Sequence, residues 1–473
     1  MINKKSILVF TILLVLNFMF SQNPLLGNVM AIGEIAFVLI YFLITQSIKR
    51  TFYWHTLFLL SSLEVSTDLA NYKGLIYGYK HFEFPFLPIS VSTLLTIFLF
   101  VMNILMNGKV KYKKNDLVYK ATIIFFLLPL ITGTIGILFR DYSITLFLER
   151  AMQPLLYLCV YSLLIEHDDK QDFQNLKILL TSALVGSVIA SYTGALLGVE
   201  ASYGAHTTFP ANQILWFSPF LIVLSLYVGG KQKSFILLMG ILACVNIIFF
   251  NATGKAILFV ILALLVYSYK NITNIRRFLY FAFIIFAISV GSLIMLDDFF
   301  YSLKSNVLFQ AKFEQLFSLL NINNWGVNLQ NVPFSPKVRV IEAINIFLSQ
   351  KENLIDLIVG RGFGGYFEDK SNMFSTLDLS KGAFSDNQIL TGQFVRPHES
   401  FNDIFLMNGV IGIGLWIGLI VEQLKKTLKD KRVSFYSLIS LIFIILMWNT
   451  YVLLLYFGLI FVYVSKYGES DGN

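Results

Sequence analysis

The sequence predicts an all-α polytopic membrane protein with about fourteen transmembrane helices and one large extracytoplasmic loop. Of its 473 residues, 56% are hydrophobic and 14% are charged, whereas soluble proteins are about 25% charged. The hydrophobic residues form runs close to the roughly 20 residues that a helix needs to cross about 30 Å of hydrocarbon. Lipid is therefore the expected solvent for most of the chain.

Fourteen apolar runs are separated by polar or charged clusters. The first begins with basic residues, as a signal peptide does, but no small-residue cleavage site follows, so we expect a retained span. Both cysteines, Cys159 and Cys244, lie within apolar runs and indicate no disulfide framework. The predicted spans are 6–21, 24–46, 51–64, 86–106, 119–138, 144–165, 177–198, 210–229, 234–250, 255–269, 278–296, 400–420, 434–449 and 451–466.

The basic residues predict the orientation of these spans. If the N-terminus is cytoplasmic, clusters such as Lys109–Lys114 and Lys425–Arg432 fall in cytoplasmic loops, as the positive-inside rule requires. We expect a multi-pass protein of the cytoplasmic (inner) membrane with both termini cytoplasmic. Residues 1–296 would hold helices 1–11, residues 297–399 the large extracytoplasmic loop and residues 400–473 helices 12–14, in one integrated membrane domain. Basic residues spread in this way do not predict a nucleic-acid partner.

The predicted loop contains an amphipathic helix followed by a glycine-rich turn. Ser335 is placed to cap a helix beginning at Pro336, which tolerates the first turn. In KVRVIEAINIFLSQ, apolar residues repeat along one face while Arg339, Glu342, Asn345 and Ser349 share the other. We expect this helix to lie on or near the membrane surface. The following GRGFGG, residues 360–365, predicts a turn with close backbone approach.

The segment Arg396–Trp416, RPHESFNDIFLMNGVIGIGLW, places charged residues where the loop re-enters the membrane. Because histidine titrates near neutral pH, His398 could serve as a general base or hydrogen-bond a sugar or phosphate. The alternative is an interfacial histidine at a helix end. Arg339, in a first helical turn, and Arg361, between glycines, could hold a diphosphate. Each could instead pair with a lipid headgroup or a glutamate.

Charged residues within predicted spans need a partner or a function because their burial in lipid is costly. Glu149 and Arg150 could pair with neighbouring helices, and Glu34 could meet a cation or act in proton coupling. Lys255 follows NATG at the predicted outer end of a helix. It could snorkel to the interface or reach a phosphate.

The segment PHESFNDIFLMNGVIGIGLW resembles the Wzy/WaaL family of O-antigen polymerases and ligases. KVRVIEAINIFLSQ with GRGFGGY is similar to that family's arginine helix and glycine-rich turn, NATGKA to its small-residue motif, and YGAHTTFPANQILW to its short outer loop. The resemblance covers about residues 177–420. Glu399 stands where the family has Asn or Ser, Lys255 where it has arginine, and His206 where some relatives have arginine.

This resemblance implies a metal-independent membrane glycosyltransferase without a cofactor. It would transfer a glycan from an undecaprenyl-diphosphate-linked donor to a sugar hydroxyl of a lipid-linked acceptor, with inversion at the anomeric carbon. Its expected partners are these substrates, the lipid bilayer and a chain-length regulator. The implied site has His398 and Arg339 as catalytic residues, Arg361, Lys255 and Arg150 as diphosphate-binding residues, and Glu399, Arg396 and His206 in secondary roles.

The first hypothesis is therefore an oligosaccharide repeat-unit polymerase for a surface polysaccharide or O-antigen. A ligase that delivers the glycan to another acceptor shares the same motifs, but ligases tend to have fewer spans. A polysaccharide-unit flippase or transporter is a third possibility. Such a carrier should show paired halves with interrupted helices around a midplane site, and no internal repeat is evident in the sequence.

Overall fold

The computed structural model describes most of the chain, and the described residues are almost entirely helical. The predicted eleventh span, 278–296, and residues 297–333 of the predicted loop lie outside the described residues. The described ranges are 3–20, 23–62, 79, 83–84, 87–108, 111, 113–199, 201–203, 206–251, 253–271, 334–376, 384, 386–429, 434–448 and 452–468.

Two short antiparallel hairpins interrupt the helices. Strand β1 (Glu83–Phe84) pairs with β2 (Leu87–Ser90), and β3 (Ala201–Tyr203) pairs with β4 (His206–Thr208). The helices are α1 (Lys4–Phe20), α2 (Pro24–Thr45), α3 (Ile48–Leu60), α4 (Val91–Asn107), α5 (Leu117–Phe139), α6 (Ile144–Ile165), α7 (Lys170–Leu196), α8 (Leu221–Leu224, between 3₁₀ turns Gln213–Phe220 and Ser225–Tyr227), α9 (Gly230–Phe249), α10 (Gly254–Asn271), α11 (Phe334–Gln350), α12 (Leu354–Val359), α13 (Met373–Thr376), α14 (Asp386–Thr391), α15 (Ser400–Lys429), α16 (Phe435–Leu446) and α17 (Val452–Tyr467).

Each predicted span other than 278–296 contains a helical segment within the described residues, although the span 86–106 begins with strand β2. The weak break near residues 448–450 does separate two helices, because α16 ends at Leu446 and α17 begins at Val452. These helices support the predicted all-helical membrane protein, while the count of fourteen stays a prediction. Among the described residues, five helices are long and apolar enough to cross a membrane: Leu25–Thr45, Leu117–Phe139, Lys170–Leu196, Gly230–Phe249 and Ser400–Thr427.

The chain forms two compact units, each made of two separate stretches of sequence. The first comprises residues 1–95 and 168–316, and the second comprises residues 96–167 and 317–473. In the first unit, α1 packs along α7, and Asn17 of α1 donates to the Ser61 carbonyl at 3.1 Å. Lys49 at the start of α3 forms an ion pair with Asp172 of α7 at 2.8 Å.

In the second unit, Asp116 joins the beginning of α5 to the end of α17. Its carboxylate caps α5 by accepting from the Val118 and Tyr119 backbone N–H groups at 2.8 and 3.2 Å, and it pairs with Lys466 at 2.8 Å. Tyr467 also donates to it. Burial opposes ionisation of Asp116, but the Lys466 ammonium and the donor groups hold the pKa of that carboxyl below its usual value.

The longest described helix, α15, is broken at Gly409. This residue has φ 59° and ψ −154°, a conformation that is essentially restricted to glycine. A break exposes carbonyl groups of the preceding turn that need new donors. Those donors come from outside the helix: the backbone N–H groups of Arg361 and Gly362 bond the carbonyls of Leu406 and Met407 at 2.8 and 3.1 Å.

The glycine-rich turn fits into this break through direct backbone contact. A Cβ atom at Gly360 would lie 2.3 Å from the Met407 carbonyl oxygen, and one at Gly409 would lie 2.6 Å from the Gly360 nitrogen. On its other side the turn reaches α5, where Phe363 N–H bonds the Pro129 carbonyl at 3.1 Å. The predicted close approach of the GRGFGG backbone is thus confirmed.

We predict that Gly409→Ala destabilises the protein strongly. The alanine would combine a strained backbone with a Cβ 2.6 Å from the Ile358 carbonyl, so the free energy of unfolding should fall by at least about 2 kcal/mol. The matched control is Gly414→Ala on the same helix, where a Cβ meets nothing within 4 Å. Thermal unfolding of the two purified variants checks this, and equal melting temperatures would contradict it.

Candidate active site

The candidate site is organised by one row of polar side chains on α11. This polar stripe consists of Arg339, Glu342, Asn345, Ser349 and Gln350. A helix lying on the membrane surface would turn such a stripe to water. Instead, its last four members are fully buried, so this face packs against protein rather than water, while the position of the helix near the membrane surface stays a prediction. The predicted start at Pro336 is corrected too, because α11 begins at Phe334.

The stripe is buried because its side chains hydrogen-bond the surrounding chain. Gln350 donates to the carbonyls of Phe405 and Leu406 at 3.0 and 3.1 Å, just before the break in α15. Asn345 accepts from the Ser371 backbone N–H at 2.8 Å and donates to Asp369 at 3.0 Å. The stripe therefore fixes both the residue 366–376 segment and the first turns of α15 against α11.

His398 is held by Glu342, the central residue of the stripe. Its Nδ1 lies 2.5 Å from Glu342 Oε1, and its backbone N–H donates to Glu342 Oε2 at 3.1 Å. Asn402, in the first turn of α15, donates to the same carboxylate at 3.3 Å and to the Arg339 carbonyl at 2.9 Å. Glu342 is completely buried, whereas the His398 side chain is partly exposed. The phenyl ring of Phe384 packs edge-on against the imidazole.

This geometry sets the chemistry that His398 can perform. A carboxylate only accepts hydrogen bonds, so the proton on the neutral imidazole resides on Nδ1 and the Nε2 lone pair is left available. No group in the described part of the chain hydrogen-bonds Nε2. A buried carboxylate that orients an imidazole in this way is the arrangement of a general base that accepts a hydroxyl proton.

The His398–Glu342 dyad is accompanied by three arginines, each paired with a carboxylate. Arg339 Nε lies 2.6 Å from Glu399 Oε1, and Arg396 pairs with Glu149 of α6. Arg150 of α6 pairs with Asp403 of α15, as predicted for an arginine within a span. We refer to these three pairs and the His398–Glu342 pair as the ion-pair cluster: Glu149, Arg150, Arg339, Glu342, Arg396, His398, Glu399 and Asp403.

Arg361 has a structural use in this conformation. Its two terminal nitrogens donate to the carbonyls of Tyr366 and Ser349 at 2.6 Å each, and its Nε faces Asp356 at 3.4 Å. Asp356 also accepts two hydrogen bonds from Arg140, at 2.8 and 2.9 Å. Burial would lower the pKa of Arg140, but the hydrogen bonds with Asp356 raise it above its usual value. Arg361 thus holds the glycine-rich turn in shape.

Two other predicted site residues belong to the first unit. Lys255 lies in the first turn of α10, and His206 begins β4, opposite Tyr203. The ion-pair cluster lies wholly in the second unit. The structure thus brings together five of the predicted residues: Arg150, Arg339, Arg396, His398 and Glu399.

Sequence reasoning missed the roles of Glu342 and Asn402. A signal for Glu342 was present, because a residue three positions after Arg339 lies on the same face of a helix. A glutamate on the polar side of an amphipathic helix is usually solvated, so the pattern alone favoured a solvent-facing position. Asn402 lies four residues after His398, and its contact with Glu342 depends on how α11 crosses α15.

Comparisons with protein-family models, with curated proteins and with solved structures give no match to this chain. The resemblance noted from short motifs therefore stays a hypothesis.

We predict that Glu342→Ala destabilises the fold around His398. It would remove the acceptor used by the His398 backbone, the imidazole and Asn402, and buried donors left unpaired cost about 1–3 kcal/mol. Glu368→Ala is the control, since Glu368 is a half-exposed glutamate of the 366–376 segment, which packs against α11 without contacting His398. Chemical unfolding of both variants measures the difference. A loss no larger than that of the control would show that the buried carboxylate does not organise this region.

Proposed function

We propose that this protein is a membrane-embedded glycosyltransferase that polymerises undecaprenyl-diphosphate-linked saccharide units at the outer face of the cytoplasmic membrane. The observation that carries the proposal is the His398–Glu342 dyad, which stands among arginines at the beginning of an apolar helix of membrane-spanning length. The motif resemblance supports the same reaction class independently.

The proposed step is a displacement at the anomeric carbon of the donor. A hydroxyl of the acceptor saccharide attacks that carbon and passes its proton to Nε2 of His398. The bond between the anomeric carbon and the diphosphate oxygen breaks, with inversion, and the lipid diphosphate leaves with the electron pair. Arg339 would stabilise the charge on the leaving group, and Glu342 would stabilise the imidazolium that forms.

The position of the cluster suits a lipid-linked substrate. α15 carries exposed apolar side chains such as Val410, Ile411 and Ile417 along its length, while charged side chains gather at its first turn and in the segment before it. A polyprenyl chain would remain among the apolar surfaces while its diphosphate and sugars meet the polar groups.

A ligase would use the same step with a different acceptor, so it remains the second candidate. The broken helix α15 gives little support to a transporter. Carriers use the unpaired backbone groups of interrupted helices to bind substrate or ions. Here the carbonyls of Phe405, Leu406 and Met407 already accept from Gln350, Arg361 and Gly362. The carbonyl groups at this break are therefore satisfied by protein donors.

The direct test is incubation of the purified protein with a synthetic undecaprenyl-diphosphate repeat unit and no other acceptor. We expect saccharide chains to grow, as seen by gel electrophoresis of the products. His398→Ala should lower the rate by about 100-fold or more because general-base catalysis contributes roughly that factor. Glu342→Gln, which keeps the shape but not the charge, should also lower the rate markedly.

The control for this assay is Glu368→Gln, which removes one charge from the 366–376 segment and does not alter the His398–Glu342 dyad. It should extend chains at the wild-type rate. Products that form only after a separate acceptor is added would indicate a ligase. An unchanged substrate under both conditions would count against an enzyme, and full activity of His398→Ala would refute the base assigned here.

The proposed orientation predicts which introduced thiols react from outside the cell. Cys159 and Cys244 are buried, so background labelling should be low. In intact cells, a membrane-impermeant maleimide should label Leu390→Cys, an exposed position in α14. It should not label Lys231→Cys until the membrane is opened. Lys231 is exposed and lies between the predicted spans 210–229 and 234–250, in a loop that the predicted orientation places in the cytoplasm. The reverse pattern would place the site on the inner side.

A further inference from the structure

The arginine pairs in the ion-pair cluster differ in exposure. The Arg150 and Asp403 side chains are 15% and 7% exposed. The Arg339 and Glu399 side chains are 31% and 26% exposed, and those of Arg396 and Glu149 are 55% and 47% exposed. The Arg150–Asp403 pair is therefore buried, while the other two pairs are more accessible to solvent. Each of these two contains a residue close to His398 in the sequence, Arg396 or Glu399.

The cluster as a whole carries no excess of positive charge. Three arginines face four carboxylates, Glu149, Glu342, Glu399 and Asp403. A diphosphate that approached the cluster unchanged would find every guanidinium beside a carboxylate. Binding of such an anion therefore requires that at least one carboxylate gives up its arginine.

The two pairs with the larger exposed fractions, Arg396–Glu149 and the partly exposed Arg339–Glu399, are the ones that can open. An exposed ion pair contributes little to stability because water and salt screen it, whereas breaking a buried pair leaves an uncompensated charge in a poorly solvated site. Phosphate oxygens compete well for a guanidinium because they accept two parallel hydrogen bonds. Exchange at Arg339 and Arg396 is thus favoured over exchange at Arg150.

We propose that Glu399 and Glu149 are resident counter-ions that give up Arg339 and Arg396 to the phosphates of the bound substrate. This inference rests on the proposed function and deepens it: Arg339 and Arg396 form the diphosphate-binding pair, while the Arg150–Asp403 pair stays closed and keeps α6 against α15. The two glutamates lower the affinity for the diphosphate and neutralise the arginines while no substrate is bound.

The test measures binding of inorganic diphosphate to the full-length protein in phosphatidylcholine nanodiscs at pH 7, by calorimetry. Glu399→Gln and Glu149→Gln should each tighten binding by about two- to fivefold, the range that corresponds to losing an exposed competing ion pair. Arg339→Ala and Arg396→Ala should each weaken binding by about tenfold or more. The matched control is Glu352→Gln, which removes an exposed glutamate paired with Lys370 and should leave the affinity unchanged.

The outcomes separate this inference from the proposed function. If Glu352→Gln tightens binding as much as the other two, net charge explains the effect and the inference falls. Unchanged or weaker binding by both Glu399→Gln and Glu149→Gln also overturns it, as does absence of binding by every variant. Should Glu399→Gln fail to fold, Glu399→Asp, whose shorter side chain weakens the pair, must tighten binding instead. Chain growth by the wild-type protein in the polymerisation assay would leave the proposed function standing in each of these cases.

Discussion

The organisation of the second unit depends on how the carbonyl groups at the break in α15 are satisfied. Backbone groups that lose their helical partners in an apolar environment cost several kcal/mol unless other donors replace them. At Gly409 the replacements are the N–H groups of Arg361 and Gly362 and the amide of Gln350. These donors come from two separate segments. The break therefore fixes both the glycine-rich turn and the end of α11 on the helix whose first turns carry the candidate site.

This requirement explains why the polar side of α11 faces inward. Gln350 must reach the broken helix. Residues that precede Gln350 on the same side of α11 then also face α15. Glu342 in this way meets the residues just before α15, where its carboxylate accepts from the backbone N–H and from Nδ1 of His398. The polar stripe of α11 thus stabilises the broken helix α15 and also positions the imidazole of His398.

The sequence was sufficient for elements whose signal is local. Apolar runs located the helices, and the weak break at residues 448–450 was read correctly. His398 was singled out because it lies where a polar segment meets an apolar run, and Arg339 because it lies in the first turn of the predicted amphipathic helix. The partners of these residues were not predictable. Glu399, Glu342 and Glu149 come from three separate segments, and a hydrophobic pattern does not show which polar face packs against protein. The two-unit organisation, in which residues 96–167 join the end of the chain, also depends on long-range packing.

The charges in the ion-pair cluster are balanced for the same reason that the carbonyl groups at the break in α15 are hydrogen-bonded: poorly solvated polar groups need partners. Arginines that were unpaired near an apolar phase would destabilise the folded protein before any substrate arrived, because a poorly solvated charge needs a partner. Carboxylates supplied by the chain remove that cost but compete with the ligand. A workable site therefore needs buried pairs that hold its shape and exposed pairs that can be exchanged. Arg150 with Asp403 and Arg361 with Asp356 meet the first need, since all four side chains are largely buried. Arg339 and Arg396 meet the second, and each is close in sequence to one member of the dyad, since Arg339 lies three residues before Glu342 and Arg396 lies two residues before His398.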